Sequence, residues 1–176
     1  MISNKNYYSH VSKGSNRQLI ELFRKSIKLR YECMDTDWTD KSLIEKITKL
    51  EKSALKIIRD MLKKGTIITR DDFFRAAHFF HHSSKFQDYA MAATLYQISG
   101  ILGDEWGKNH HALAIDRFLL STKQKQYFGT QYEKRDSKWI LSPYRTRVSN
   151  KIRQEHLVPS LKDTLNNIKN LNKQPK

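Results

Sequence analysis

Apolar positions recur along this chain mainly at intervals of three and four. Leu19, Ile20, Phe23, Ile27 and Tyr31 fall on one face of a helix, and Asn16 or Ser15 is placed to cap it. Met34 to Asp40 reads as a loop. A longer stripe starts near Thr39–Asp40: Leu43, Ile44, Ile47, Leu50, Ala54, Leu55, Ile58, Met61 and Leu62 run over about six turns. Gly65 then stands where a helix end favours a left-handed residue. The two segments predict an antiparallel helical hairpin.

A third helix follows Thr69, which precedes Asp72 by three, and carries Phe73, Phe74, Ala77 and Phe80 inward until Ser83 and Ser84 interrupt it. A fourth runs from about Phe86 to Leu102 with Tyr89, Ala92, Ala93, Tyr96 and Ile101, and Gly103 can end it. A fifth covers about Glu105 to Ser121 with Trp106, Ala112, Leu113, Ile115, Phe118 and Leu119. Small residues such as Ala76, Ala77, Ala92, Ala93 and Ala112 let helix axes approach closely. The fold class is therefore mainly α. Its antiparallel hairpins are analogous to tetratricopeptide or Sel1 packing, although no repeat period is present.

The pattern changes after Ser121. Gln126–Tyr132 and Lys138–Leu141 have strand-like content around the polar Glu133–Ser137, which predicts a short β-hairpin or ordered loop near 126–142, closed by Pro143. A short helix near Asn150–His156 and a last one from Ser160 to about Leu171 complete the chain. The organisation is a flexible N-terminus (1–15), an N-terminal hairpin (16–65), a helical domain carrying the loop (66–171) and a flexible tail (172–176). The hairpin either packs on the rest or serves as a docking arm.

Composition narrows the classes. Eight Phe, eight Tyr and three Trp supply a core despite a mean hydropathy of -0.73. The single Cys33 excludes an intramolecular disulfide and reads as a small buried hydrophobe. The N-terminus shows no secretory signal and no apolar run reaches membrane-span length, so the expectation is a cytoplasmic bacterial protein with no membrane span. Delivery into another cell without a signal stays open. The net charge of +15 favours anionic partners. Yet Lys dominates Arg, as an AT-rich genome would give, and the cations are dispersed from Arg17, Lys25 and Lys49 to Arg147 and Lys169.

Three segments are less generic: His78-Phe-Phe-His81-His82; Asp116-Arg117; and Gln126-Tyr-Phe-Gly129-Thr130-Gln131 with the Trp139 to Pro143 segment after it. Together they resemble an uncharacterised family of bacterial helical domains that carries Q-H, then D-R, then Q-x-Y-G-T-Q, a Trp–Pro segment and a V-P-x-L element. The counterparts here are His82, Asp116-Arg117, Gln126, Gly129-Thr130-Gln131, Trp139, Pro143 and Val158-Pro159-Ser160-Leu161, spanning about residues 70–165. His81 replaces the usual Gln and Phe128 the usual Tyr, and the second change removes a hydroxyl. The resemblance implies an architecture and a candidate surface, and no activity.

Asp116 and Arg117 are adjacent on a helix, so they point about 100° apart and one of them faces inward, where it needs partners. The Gly129-Thr130-Gln131 loop is the expected supplier, and a polar network of Asp116, Arg117, Gln126 and Gln131 that pins loop to helices is the plainest reading. The functional reading makes Gln126, Gly129, Thr130, Gln131 and Trp139 a binding surface, in a helical binding module with a polar groove between the D-R helix and the loop. The alternative is a small enzyme, of hydrolase type, using His82, Asp116, Arg117 and Gln131, with His82 as base and Arg117 holding an anionic group. A basic nucleic-acid-associated protein is the third reading. An anionic small molecule or a protein partner fits the first. No cofactor is implied. His78 and His82 share a helix face, but Phe79 and Phe80 fill the space where a zinc-peptidase motif needs Glu, so no metal is expected.

Overall fold

The computed structural model describes residues 12–173. Among them are seven helices and one two-stranded antiparallel sheet: α1 (Arg17–Asp35), α2 (Lys41–Lys63), α3 (Arg70–His81), α4 (Phe86–Ile101), α5 (Glu105–Ser121), β1 (Tyr132–Arg135), β2 (Lys138–Leu141), α6 (Asn150–Glu155) and α7 (Leu161–Leu171). The chain is mainly helical, as the spacing predicts. No helix among the described residues is long and apolar enough to cross a membrane.

Helix starts follow from side chains that satisfy first-turn N–H groups. Asn16, Asp40, Thr69, Asp104, Ser149 and Ser160 each accept from the backbone of the turn they open, and Thr69 forms a full capping box with Asp72. The expected flexible N-terminus lies outside the described residues up to 11. Beyond it, Ser12 donates from backbone and side chain to Asp71, and the Asn16 N–H donates to Asp72. These contacts seat the start of α1 against the start of α3.

Helix α3 is the centre of the molecule. Ten of its twelve residues are buried, so it is covered on nearly every side. Phe74, Phe79 and Phe80 are at most 3% exposed, each contributing about 1.5–3 kcal/mol of burial. Leu19 and Phe23 from α1, Ala54 and Ile58 from α2, and Ala92, Ala93 and Tyr96 from α4 join the same cluster. The N-terminal hairpin is thus packed onto the body, with the Phe23 ring edge-on to Phe74 at 6.4 Å and to His78 at 5.0 Å. Polar contacts lock this arrangement. Arg30 binds both oxygens of the buried Glu51, Ser26 donates to Glu51 at 2.8 Å, and Ser26 Oγ lies 3.1 Å from His78 Nε2.

Helices α4 and α5 meet with backbone close to backbone. A methyl group on Gly107 would stand 2.7 Å from the Gly100 nitrogen and 2.9 Å from the Tyr96 carbonyl oxygen. This near approach aligns α5 against α4 and fixes which face of α5 is presented to the segment that follows.

Two expectations shift after Ser121. The hairpin pairs Tyr132 with Leu141 through Arg135 with Lys138, so its first strand starts at Tyr132 and excludes Gln126–Gln131. Those six residues are a loop because three of their N–H groups are given to a carboxylate of α5 instead of a strand ladder. At the other end, Asn172 accepts from the Trp139 N–H and donates to the Trp139 carbonyl, which ties the end of α7 to β2. Residues 174–176 of the expected flexible tail lie outside the described residues.

Candidate functional site

Helix α5 turns Asp116 inward, fully buried, and leaves Arg117 half-buried beside it. The Asp116 carboxylate accepts four hydrogen bonds from the loop: from the N–H of Tyr127 (2.7 Å) and of Phe128 (2.8 Å) on one oxygen, and from the N–H (2.9 Å) and hydroxyl (2.8 Å) of Thr130 on the other. Gly129 makes this wrap feasible. Its φ of +71° is a left-handed conformation that side chains disfavour, and a methyl there would come 3.2 Å from Arg153 Nη1.

Gln126, also fully buried, braces the loop from inside. Its carbonyl oxygen accepts from the Gln131 N–H, and its amide nitrogen donates to the Gln131 and Ser142 carbonyls. Gln131 donates to Thr130 Oγ1 (3.0 Å) and accepts from Arg117 Nε (3.2 Å), and Arg117 Nη1 donates to the His81 carbonyl (3.0 Å). An unbroken hydrogen-bonded path therefore runs from the carboxylate of Asp116 through Thr130 and Gln131 to Arg117 and the end of α3. Asp116 has no free acceptor role left, so what it does here is position the loop.

Arg117 is different in kind. Both acceptors it uses are uncharged, and no carboxylate lies within ion-pair distance of it among the described residues. Burial pulls its guanidinium below its ordinary pKa, with Tyr89 and Tyr96 acting the other way. The α3 C-terminus, where His81 sits, offers partial negative charge but no counterion.

Three imidazoles gather at the end of α3, and a fourth, His110, packs on Phe74 and Tyr96 from α5. The rings of His78 and His82 are 4.7 Å apart, those of His81 and His82 5.2 Å, and His110 lies against Tyr96 at 5.2 Å. Burial lowers all four below the usual histidine range. Arg30 reinforces this at His78, Arg117 at His81 and the neighbouring imidazole of His78 at His82, whereas the Trp106 carbonyl partly opposes it at His110. His81, 3% exposed, leaves Nδ1 without a hydrogen bond. His82 makes no side-chain hydrogen bond to Arg117 or Gln131. Its ring faces a groove of about 710 Å3 between α2 and the α3–α4 turn. Among the described residues no three His, Cys, Asp or Glu side chains converge as a metal site.

Trp139 stands apart from this cluster. Its contacts are with Tyr132, Lys134 and Asn172 on the hairpin. Arg153, which sequence reasoning passed over, belongs to it. It is fully buried on α6, donates through Nη1 to the Phe128 carbonyl and leaves Nε and Nη2 unpartnered. An arginine in a short polar helix next to Val158-Pro159 carries no sequence signal of burial.

Comparison with protein-family models, curated proteins and solved structures finds no match to this chain in any of the three.

Proposed function

We propose that the chain is a helical binding module that takes an anionic ligand at the edge formed by Arg117 and Gln131, with the Asp116–Gln126–Thr130 network as its rigid support. The observation that carries this reading is the half-buried Arg117 guanidinium, which has two uncharged acceptors and no carboxylate partner among the described residues. A desolvated cation of this kind is expensive unless something negative joins it. The orphaned Nδ1 of His81, next to the carbonyl that Arg117 holds, adds a second polar group with capacity to spare. We take the successive packed helices as tetratricopeptide- or Sel1-like, a scaffold suited to presenting such an edge. The motif resemblance to an uncharacterised bacterial family is taken in the same spirit.

The enzyme reading is weaker, because Asp116 is saturated by loop donors and His82 does not meet Arg117 or Gln131 through a hydrogen bond.

The test is thermal melting and titration calorimetry with two probes, inorganic phosphate and succinate. A ligand at a hundred times its Kd stabilises by about 2.7 kcal/mol. The expected result is a raised Tm with at least one probe and no rise in Arg117→Gln. Absence of any shift or heat with both probes rejects the reading, as does an unchanged response in the variant.

A further inference from the structure

Helix α2 buries Ile47, Ala54, Ile58 and Met61, and the opposite side carries a line of cations. Lys49, Lys52, Lys56, Arg59 and Lys63 are all exposed and follow one another at intervals of three and four residues, so they lie along a single narrow stripe. Neighbours in the stripe are about 4.5–6 Å apart along the helix axis, and the whole covers about 21 Å. Glu45, one turn before Lys49, ends it on that side. The four lysines have no carboxylate partner among the described residues, and Arg59 alone is paired, with Asp88.

The middle of the stripe, which Lys49 and Lys63 extend beyond either end, borders the groove of about 710 Å3. Lys52, Lys56 and Arg59 line it from α2, and His82, Ser84 and Lys85 line it from the α3–α4 turn. Its two acids are already engaged: Asp88 is bound by Arg59 and Ser83, and Glu51 by Arg30 and Ser26. What faces outward is therefore a cationic trough with Lys85 across from the stripe. Phe86, 47% exposed, follows the groove-lining Lys85 directly in the chain.

We infer that this trough binds a single-stranded nucleic acid, with the phosphate backbone following α2 and a base resting on the rim. A positively charged groove that tracks a backbone, beside rings on which bases stack, is the general design of sequence-tolerant strand binding. Cations at this spacing can meet successive phosphates of an extended strand. A membrane surface fits less well, because the apolar face of α2 is spent in the core and none is left to enter a bilayer. The inference uses none of the residues at the Arg117 edge, so the two stand or fall separately.

The experiment measures fluorescence anisotropy of a labelled 20-nucleotide oligo-dT with the full chain at several salt concentrations. Five unpaired lysines, counting Lys85, predict a log–log salt slope of about -3.5, a loss of affinity of about a hundred-fold between 50 and 200 mM salt. The triple variant Lys52→Gln, Lys56→Gln, Lys85→Gln lowers the slope by about 2. All three positions are exposed, so circular dichroism and Tm stay at the parent values. A control variant, Lys162→Gln with Lys169→Gln on α7, leaves binding unchanged. The inference is overturned by no binding at 50 mM salt, or by equal loss in the control. It is also overturned by tighter binding of a matched duplex, of phosphatidylserine vesicles, or of poly-glutamate at equal charge.

Discussion

Asp116 and Arg153 hold the same residue from opposite sides: the carboxylate accepts the N–H of Phe128 and the guanidinium donates to its carbonyl. Neither touches the other through a hydrogen bond, yet burial lowers the Arg153 pKa and the charge of Asp116 opposes that shift. One residue thus gives its N–H to a buried anion and its carbonyl to a buried cation. The loop is held by charge at a point where no regular secondary structure exists.

Removing the carboxylate should therefore unfasten the loop. Asp116→Ala leaves four donors without an acceptor, and a loss of about 3–5 kcal/mol is expected. Thr130→Val deletes only the hydroxyl donor and should cost about 1–1.5 kcal/mol. Urea denaturation of the two variants gives both numbers, and an equal cost for the two would refute the account of the loop.

Because Asp116 and Arg153 act on one segment, their losses should not add. The double variant Asp116→Asn with Arg153→Met is expected to be less destabilised than the sum of the singles, by about 0.5–3 kcal/mol. Strict additivity in the cycle would mean the two side chains stabilise separate structures.

The buried imidazoles predict how stability depends on pH. Burial holds His78, His81, His82 and His110 below the ordinary histidine range in the folded chain. The unfolded chain then takes up protons first as pH falls. Stability from these groups is complete above about pH 7.5 and declines once pH drops through 6.5, by up to about 1.4 kcal/mol per pH unit for each ring. Urea midpoints measured from pH 8 to 5 should be level and then fall, and His81→Phe should make the fall shallower.

The contact between α4 and α5 tolerates no side chain. Gly107→Ala places a methyl 2.7 Å from the Gly100 nitrogen, so the helices must separate, at a cost of about 1–3 kcal/mol. Gly65→Ala meets no neighbouring atom and is strained only by its φ of +66°, which costs about 1–2 kcal/mol. Comparing near-ultraviolet spectra separates them, since only the first should disturb the Tyr96 and Trp106 surroundings.

Much of the helical layout was legible because its signals are local. Asn16, Asp40 and Thr69 sit just ahead of their apolar stripes, and Gly65 and Gly103 just behind them, so the helix limits follow from chemistry within a few residues. For 126–131 the choice between strand and ordered loop stayed open, since Tyr127 and Phe128 look like strand residues, although the contact of the Gly129-Thr130-Gln131 loop with the Asp116-Arg117 pair was expected. What decides their backbone is a carboxylate eleven and twelve positions away, visible only once α5 is packed. The α2 stripe was present in the spacing of Lys49, Lys52, Lys56, Arg59 and Lys63. Along the entire chain the lysines are dispersed, and the line exists only around the axis of one helix.

The grip of Asp116 on the turn has a kinetic counterpart. The amide protons of Tyr127, Phe128 and Thr130 are sequestered by a carboxylate in the interior. In deuterated water this irregular stretch should therefore trade hydrogen as slowly as the middle of a packed helix, and it should open only together with the end of α5.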